Sequence, residues 1–181
     1  MDSDAIEFHP LSRPLIDVIE KVAGGAAWRG SSHPAWRGGT VWMRYLQEHE
    51  AGERWMIVAT MHDIPVGYVG LLLRSLYESF RLRGIPEIND LVVSETFQRR
   101  GIATRMIALL EKHAADAGYK TIGLGVGLHP DYGAAQRLYT QLGFVPDGNG
   151  MMYNCVPVVP YSMVRADDDL CLWMEKTIKQ R

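Results

Sequence analysis

The chain has 181 residues, a length that suits one domain with a substantial apolar core rather than two domains. Apolar residues make up 47% and charged residues 22%, which excludes a disordered or fibrous protein. The formal net charge of -2 gives no general attraction to nucleic acid or to an anionic membrane, so a bound anion needs a local cluster of basic groups. We therefore expect a single domain spanning residues 1–181.

The amino terminus and the cysteine content indicate the compartment. The start, MDSDAIEFHP, lacks the basic and then apolar pattern of a signal peptide, and the apolar runs are too short to span a bilayer. Cys155 and Cys171 are too few for a secreted disulfide framework and too widely spaced for a CxxC metal site. The six histidines show no zinc-ligand spacing either. We predict a cytoplasmic protein with reduced cysteines, no metal, and no membrane or nucleic-acid partner.

The first part of the chain predicts two helices with a loop between them. Apolar residues recur at helical spacing in Arg13–Ala23 and again in residues 40–50, where Thr40 is the expected N-cap. The loop is rich in Gly, Ser and Pro and holds Trp28 and Trp36. We favour packing of these tryptophans on the core, with the wall of a substrate pocket as the alternative.

The remaining elements predict a mixed α/β fold. Two β-rich runs, residues 54–61 and 66–74, flank the polar turn HDIP and predict a hairpin, and residues 74–84 are expected to be an irregular excursion. Strands and helices then alternate as a strand at Glu87–Val93, a helix at about 101–117, a strand at 121–126, a helix at about 132–142, and strand-like segments at 156–159 and 170–174. Strand, helix and strand in this order imply a parallel crossover.

Residues 87–103, EINDLVVSETFQRRGIA, combine an apolar strand, a turn and the start of an amphipathic helix. The first turn of a helix has N–H groups without partners and a partial positive charge, so it can receive a phosphate. Gly101 allows close approach to the backbone, while Arg99 and Arg100 add full charges. Because arginine at a helix start opposes the helix dipole, this pattern favours a bound anion over an ordinary basic helix start.

Two motifs in this order resemble the GNAT superfamily of N-acetyltransferases. QRRGIA at residues 98–103 matches its Q/R-x-x-G-x-G/A signature, and Ala135, Leu138-Tyr139 and Gly143-Phe144 form A-x-x-LY-x-x-x-GF about forty residues later. The resemblance covers roughly residues 57–144. It implies a GNAT-like acyl-CoA-binding fold with a mostly antiparallel central sheet, one parallel β-α-β crossover and flanking helices, and an acyltransferase that uses acetyl-CoA.

The resemblance also implies the residues that contact the cofactor. Backbone amides from Gln98 to Thr104 would hold the pyrophosphate of coenzyme A. The strand backbone from Leu91 to Val93 would pair with the pantetheine arm and donate an N–H to the thioester oxygen, as in an oxyanion hole. Tyr132 stands where many relatives have asparagine. The implied contacts are Leu91, Val92, Val93, Gln98, Arg99, Arg100, Gly101, Ile102, Ala103, Thr104, Tyr132 and Ala135.

Amine acetylation needs a base, because an amine with a pKa of about 10.4 is neutral in only ~1 molecule in 1,000 at pH 7. Strand alternation places Glu87 on the same face as Leu91, and family members with a base on this strand carry glutamate at the matching position. Glu87 is thus the predicted base, either directly or through water, and a solvated strand-end carboxylate is the alternative. Asp90 points to the other face unless a bulge intervenes, and a structural hydrogen-bonding role is expected for it.

Tyr139 shares helical spacing with apolar residues, which on spacing alone predicts a core tyrosine. The resemblance implies instead that it protonates the departing thiolate.

Two further patterns have simpler interpretations. GLGVGLHP at residues 123–130 lacks the third glycine of a dinucleotide loop in its proper place, so its glycines are expected to let a strand bulge or splay where a ligand approaches. The acidic run at residues 167–169 predicts a solvated turn, with attraction of a cationic substrate as the alternative.

The sequence therefore predicts transfer of acetyl from acetyl-CoA to a primary amine of a small molecule by direct attack in a ternary complex. Carboxylates at Glu87 and Asp147 favour a cationic amine, and a peptide or protein amine is the alternative acceptor. Two other classes stay open: a non-catalytic acyl-CoA-binding or regulatory module, and an interaction protein that keeps only the fold. A homodimer through the C-terminal strands is a further hypothesis, for which the sequence has no particular signal.

Overall fold

A computed structural model describes residues 5–23 and 39–179. The predicted loop with Trp28 and Trp36 lies outside the described residues. Within them the strands are β1 (Ile6–Pro10), β2 (Arg54–Met61), β3 (Ile64–Leu72), β4 (Glu87–Val93), β5 (Thr121–Gly127), β6 (Val145–Tyr153), β7 (Val156–Pro157) and β8 (Leu170–Thr177). The helices are α1 (Arg13–Ala23), α2 (Gly39–Glu50), α3 (Glu78–Arg83), α4 (Ile102–Asp116) and α5 (Gly133–Gln141), with 3-10 turns at Glu95–Phe97 and Pro130–Tyr132.

The chain divides into two compact units, and the division falls inside β4 between Ile88 and Asn89. Unit one comprises Met1–Leu72 and Asn89–Leu110, and unit two comprises Leu73–Ile88 and Glu111–Arg181. This division does not test the expectation of a single domain, which stays a prediction.

Unit one contains strands in the order β1-β2-β3-β4. β1 pairs antiparallel with β2, and β2 forms the predicted hairpin with β3. The hairpin turn has only two residues, His62 and Asp63, with φ of 50° and 60°. Positive φ at both positions matches the twist of the flanking strands. β3 and β4 run antiparallel, since Gly67 lies beside Val92 and Gly70 beside Asn89.

The core of unit one lies between its sheet and the first two helices. α1 contributes Ile16 and Ile19, both at most 2% exposed, because its apolar residues recur at helical spacing. Trp42 on α2 meets the ring of Tyr68 on β3 edge-on, with centroids 4.9 Å apart. The apolar faces of α1 and α2 thus fix the sheet strands that lead into β4.

Unit two contains the order β4-β5-β8-β6-β7. β4 pairs parallel with β5 through Glu87–Gly123 and Ile88–Leu124, and the other pairings in this unit are antiparallel. α4 lies between these two strands in the chain. The mixed α/β sheet with one parallel pairing that the sequence predicts is confirmed.

Several elements differ from the sequence-based expectations. The prediction of an irregular excursion at residues 74–84 is wrong in part, because residues 78–83 form α3. This helix is capped by Gly84, which has a φ of 65°, and it buries Phe80 completely. β1 and β6 were not predicted. β6 contains Asp-Gly-Asn-Gly, a turn-like sequence, and its pairing with β8 shifts register between Pro146 and Met151. α2 begins at Gly39, so Thr40 lies inside the helix rather than at its N-cap.

The glycines of β5 lie beneath aromatic rings of the same chain. A Cβ at Gly123 would collide with Phe80, and one at Gly127 would collide with the ring of Tyr132. One at Gly125 would lie 3.4 Å from Trp173. β5 pairs with β8 in continuous register, so the expected bulge is wrong on that side and the glycines make room for packed rings. A splay of the strand where a ligand approaches stays a prediction.

In the described part of the chain, no helix combines the length and apolar character needed to cross a membrane.

Candidate active site

The turn before α4 forms a concave backbone surface in unit one. Arg99 has a φ of 60° and Gly101 a φ of 76°, whereas Arg100 between them is not left-handed. Alternating left- and right-handed residues turn successive N–H groups toward one point, an arrangement that binds anions. The Arg105 N–H donates to the Gly101 carbonyl at 3.0 Å, so residues 102–104 form the first helical turn and direct their N–H groups out of its end. We call residues 98–104 the phosphate turn.

The side chains around the phosphate turn leave two cations available. Arg99 and Arg100 are exposed, and neither has a carboxylate within 4.0 Å among the described residues. Arg100 lies over the Phe97 ring, 5.3 Å from its centroid. The Gln98 amide donates to the Val93 carbonyl at 3.1 Å and so ties the turn to the end of β4. The turn therefore combines a helix start with available positive charge, as the sequence predicts.

β4 bulges at Asp90, whose φ is 53°. A left-handed residue interrupts regular side-chain alternation, so alternation alone does not relate Glu87 to Leu91, and their shared face stays a prediction. The Asp90 carboxylate accepts a hydrogen bond from the Tyr45 hydroxyl and lies 3.7 Å from Nη1 of Arg54. The structural hydrogen-bonding role expected for Asp90 is confirmed.

Behind this bulge lies a buried polar group that sequence reasoning missed. We call it the Arg54 cluster, comprising Tyr45, Glu48, Arg54, Asn89 and Asp90. Arg54 is only 6% exposed and donates from Nε to Glu48 at 2.6 Å and from Nη1 to the Asn89 side chain. Burial, followed by the charge of Asp90, raises the pKa of Tyr45, which keeps this hydroxyl a donor. An arginine at the start of an otherwise apolar strand was the one available sequence signal.

Glu87 lies in unit two and is 9% exposed, so the alternative of a solvated strand-end carboxylate is wrong. The Ser75 hydroxyl donates to its Oε2 at 2.5 Å. Glu87 is in register with Gly123, and neighbours in register point to the same face, which here is the face of Phe80. The pKa of the Cys155 thiol is raised, first by burial and then by the negative charge of nearby Glu87.

Tyr139 lies on α5 in unit two, 7% exposed, with its ring edge-on to Phe144 at 6.0 Å. Burial raises the pKa of Tyr139 to about 12, so its phenol is protonated throughout the neutral range. Ala135 is half-buried on the same helix. The Tyr132 hydroxyl donates to Asp168 at 3.1 Å, and His129 approaches the same oxygen at 2.9 Å.

Asp147 occupies the shifted segment of β6. Its carboxylate accepts from the Tyr77 hydroxyl at 2.7 Å and from the Asn149 amide at 2.8 Å. No basic side chain of the described residues lies within 4.0 Å of it. Asp147 is thus a half-buried carboxylate held by neutral donors.

The acidic run is solvated, as the sequence predicts: Asp168 and Asp169 are exposed, and Asp167 is half-buried. Asp167 accepts from the Tyr153 hydroxyl at 3.1 Å, and Asp168 binds Tyr132 and His129. These bonds fix the turn before β8 within unit two.

The candidate residues fall into two groups by unit. Leu91, Val92, Val93 and the phosphate turn belong to unit one, and Glu87, Tyr132, Ala135 and Tyr139 belong to unit two. Cys155 and Cys171 are free thiols. The described residues contain no group of three or more His, Cys, Asp or Glu side chains arranged to hold a metal ion.

Comparison of the sequence with protein-family models gives a match to the acetyltransferase (GNAT) family over residues 25–144. No curated protein sequence matches the chain.

Solved structures share the fold over nearly the whole chain. A putative GNAT acetyltransferase from Desulfovibrio desulfuricans has 17% identity and a TM-score of 0.70, covering 97% of this chain and 100% of that one. The PaiA N-acetyltransferase from Thermoplasma acidophilum, in complex with coenzyme A, has 14% identity and a TM-score of 0.67, covering 96% and 99%. An aminoglycoside 6′-acetyltransferase type Ii has 24% identity and a TM-score of 0.64, covering 97% and 99%.

Proposed function

This chain belongs to the GNAT family of acetyltransferases, and from that premise we propose that it transfers the acetyl group of acetyl-CoA to a primary amine of a cationic small molecule. The observation that carries the proposal is the phosphate turn, where left-handed Arg99 and Gly101 precede the start of α4. Two exposed arginines without carboxylate partners among the described residues lie in the same turn, a combination suited to the pyrophosphate of coenzyme A.

The chemistry assigned to the site has three parts. Glu87 accepts a proton from the ammonium group, directly or through water, and the neutral amine attacks the thioester carbon. The Leu91 N–H stabilises the negative charge that develops on the carbonyl oxygen. As the carbon–sulfur bond breaks, Tyr139 donates its proton to the departing thiolate, and the nitrogen of the adduct releases its second proton to water. Tyr139 is then reprotonated from solvent, so the products are the amide and coenzyme A.

The burial of Glu87 supports its assignment as the base. A carboxylate sheltered from bulk water does not exchange its proton freely with solvent, which suits a group that takes a proton from a bound substrate. The Ser75 hydroxyl fixes the orientation of the carboxylate. The buried, protonated phenol of Tyr139 is in turn a suitable acid.

A cationic acceptor is supported by Asp147. Its carboxylate has no ion-pair partner within 4.0 Å among the described basic side chains, and neutral donors hold it in place. A likeness in fold to an aminoglycoside acetyltransferase is compatible with such an acceptor. A peptide or protein amine is the second candidate for the acceptor.

The test is release of coenzyme A thiol from acetyl-CoA with a panel of amines: an aminoglycoside, a polyamine, an amino-acid derivative and an unblocked peptide. We expect turnover with at least one of the first three. Turnover with the peptide alone would replace the small-molecule acceptor by a peptide or protein one.

The non-catalytic alternatives are separated by binding. A cofactor-binding module would bind coenzyme A yet release no thiol with any amine. Ligand at about 100 times its dissociation constant adds ~2.7 kcal/mol to the free energy of unfolding, which a melting experiment detects. An interaction protein that keeps only the fold would show no such shift. A cytoplasmic location and a homodimer through the C-terminal strands stay predictions.

A further inference from the structure

The Arg54 cluster surrounds the point at which β4 leaves regular strand geometry. Asp90 has a φ of 53°, a left-handed conformation that side chains with a Cβ disfavour, although aspartate tolerates it better than most. Such a conformation persists only where the surroundings hold it. The neighbours of Asp90 therefore decide whether the bulge is rigid.

The buried side chains of Tyr45 and Arg54 hold the two residues at the bulge, Asn89 and Asp90. The Tyr45 hydroxyl donates to the Asp90 carboxylate. Arg54 donates to the Asn89 side chain through Nη1, and the same nitrogen lies 3.7 Å from Asp90 Oδ2. The Arg54 guanidinium thus contacts the side chains of two successive residues, Asn89 and Asp90.

The two anchoring side chains are themselves fixed. Tyr45 is 4% and Arg54 6% exposed, and the guanidinium carbon lies 4.6 Å from the centroid of the Tyr45 ring. Glu48 binds Arg54 Nε at 2.6 Å. A Cβ at Gly70 would lie 2.9 Å from Arg54 Nη1, so β3 has a glycine where the guanidinium passes. The two side chains that contact Asp90 are therefore held in place by burial, by an ion pair and by a ring contact.

Beyond the bulge, β4 returns to β3. The Ser94 N–H donates to the Val66 carbonyl at 2.9 Å. A Cβ at Gly67 would lie 2.9 Å from the Val92 carbonyl, so the two backbones approach closely there. The span from Leu91 to Val93 is therefore short and held at both ends, and the conformation of Asp90 sets its direction.

We propose that Tyr45 and Arg54 are positioning residues for acetyl transfer, which hold Asp90 in its left-handed conformation and thereby aim the Leu91 N–H at the thioester oxygen. This inference rests on the proposed function, in which that N–H stabilises the oxyanion. Neither side chain touches substrate in this scheme, and both act through Asp90.

The test separates positioning from folding by its effect on two ligands. In Tyr45→Phe we expect kcat with acetyl-CoA to fall at least 10-fold, because the oxyanion donor is misaligned. The dissociation constant of coenzyme A, which has no acetyl carbonyl, should change less than 3-fold. Tyr153→Phe is the matched control, since it also removes a tyrosine hydroxyl bound to a carboxylate, that of Asp167, and it should leave kcat unchanged.

A double-mutant cycle identifies Asp90 as the link. Asp90→Gly adopts positive φ without a side chain to anchor, so Tyr45→Phe should have no further effect in that background. Asp90→Asn, which tolerates positive φ and can still accept from Tyr45, should retain at least about a third of kcat. An equal loss from Tyr45→Phe with and without the Asp90 side chain would overturn the inference. Arg54→Met should likewise lower kcat at least 10-fold, and if that variant fails to fold, the Tyr45–Asp90 cycle decides by itself.

Amide hydrogen exchange gives a readout that does not depend on turnover. The peptide covering residues 89–94 should exchange at least 10-fold faster in Tyr45→Phe than in the wild type or in Tyr153→Phe. Unchanged exchange together with unchanged kcat would refute the positioning role in an active enzyme. Faster exchange in a protein that acetylates no amine would support the anchoring of Asp90 and reject the proposed function.

Discussion

At the scale of single residues, Glu87 and Glu175 form a natural pair for comparison. Both are in register with Gly123, one on each side of β5, and so point to the same face of the sheet. Glu175 is bound by the guanidinium of Arg83 at 3.2 and 2.5 Å, whereas the neutral hydroxyl of Ser75 donates to Glu87. Glu175 is thus held in an ion pair with Arg83, and it serves as the comparison for a substitution at Glu87.

We predict that Glu87→Gln lowers kcat/KM for the amine by about 100-fold or more at pH 7, because the attacking amine loses its base. Glutamine can still accept from Ser75, so the fold should be retained. Glu175→Gln should stay within about 3-fold of the wild type. Steady-state thiol release across the pH range measures both variants, and equal activities of Glu87→Gln and wild type would remove Glu87 as the base.

Tyr139→Phe removes one hydroxyl from α5, and we predict that it lowers kcat at least about 10-fold at saturating substrate. No hydrogen bond to this hydroxyl occurs within the described ranges, so the melting temperature should change little. Because the pKa of Tyr139 is raised to about 12, its acid form persists across the working pH range and it should contribute no alkaline limb below about pH 10. An unchanged rate in Tyr139→Phe would leave this residue with a packing role alone.

At the scale of elements, the phosphate turn depends on backbone conformation more than on side chains. Gly101 has a φ of 76°, and a Cβ added to it would meet no atom within 4 Å. The same holds for Gly118, which follows α4 with a φ of 88°. Alanine at either position meets the same left-handed penalty, about 1–2 kcal/mol, without a collision. The two glycines thus share the same backbone conformation and free space, but only Gly101 belongs to the phosphate turn.

We predict that Gly101→Ala lowers the melting temperature by a few degrees and weakens coenzyme A binding about 10-fold or more. Gly118→Ala should lower the melting temperature equally and leave the affinity unchanged. Calorimetric titration with coenzyme A distinguishes the two. Equal affinities of the two variants would mean that the phosphate turn does not hold the cofactor.

At the scale of the whole molecule, the tyrosines link stability to alkaline pH. Six of the described tyrosines have a raised pKa, with burial as the first cause in each case: Tyr45, Tyr68, Tyr77, Tyr132, Tyr139 and Tyr153. In the unfolded chain the pKa of tyrosine is about 10. The folded state therefore binds these protons more tightly, and the stabilisation is complete below about pH 10 and is lost as the pH rises through the folded-state values.

We predict that the urea midpoint begins to fall at about pH 8, where the thiols of Cys155 and Cys171 ionise in the unfolded chain, and falls steeply above about pH 10 as the tyrosines follow. Each tyrosine that ionises only on unfolding contributes a slope of about 1.4 kcal/mol per pH unit. Tyr139→Phe should make the fall shallower, which tests the assignment by residue. A midpoint that is constant up to about pH 11 would contradict the burial of these phenols.

The agreement between sequence and structure follows from local pattern. The bounds of α1 are those expected, because its helical periodicity is continuous and Gly-Gly follows it in the sequence. The bounds of β4 are also those expected, since Pro86 precedes the strand and an apolar run ends it. β6 was missed because Asp-Gly-Asn-Gly is typical of a turn, although pairing with β8 on both sides keeps the segment in the sheet. The sequence did not predict α3, because charged residues dominate the segment and obscure the apolar pattern. The two aromatic residues that anchor it in the core are Tyr77 and Phe80.

The candidate site, like the fold, was predictable from the sequence only in part. The phosphate turn is a continuous motif, and its left-handed glycine follows from the sequence. The Arg54 cluster was not predictable, since Tyr45 and Asp90 are 45 positions apart and Arg54 and Asn89 are 35 apart. Contacts of that range depend on how the helices pack on the sheet, which local periodicity does not specify.

The aromatic rings over the glycines of β5 restrict how this sequence can diverge. A side chain at Gly123 needs a smaller residue at position 80, and one at Gly127 needs a smaller residue at position 132, because the two members of each pair share one space. Across descendants of this chain, the members of each pair should therefore vary together. Single substitutions that change the acceptor specificity should then occur at positions outside these pairs.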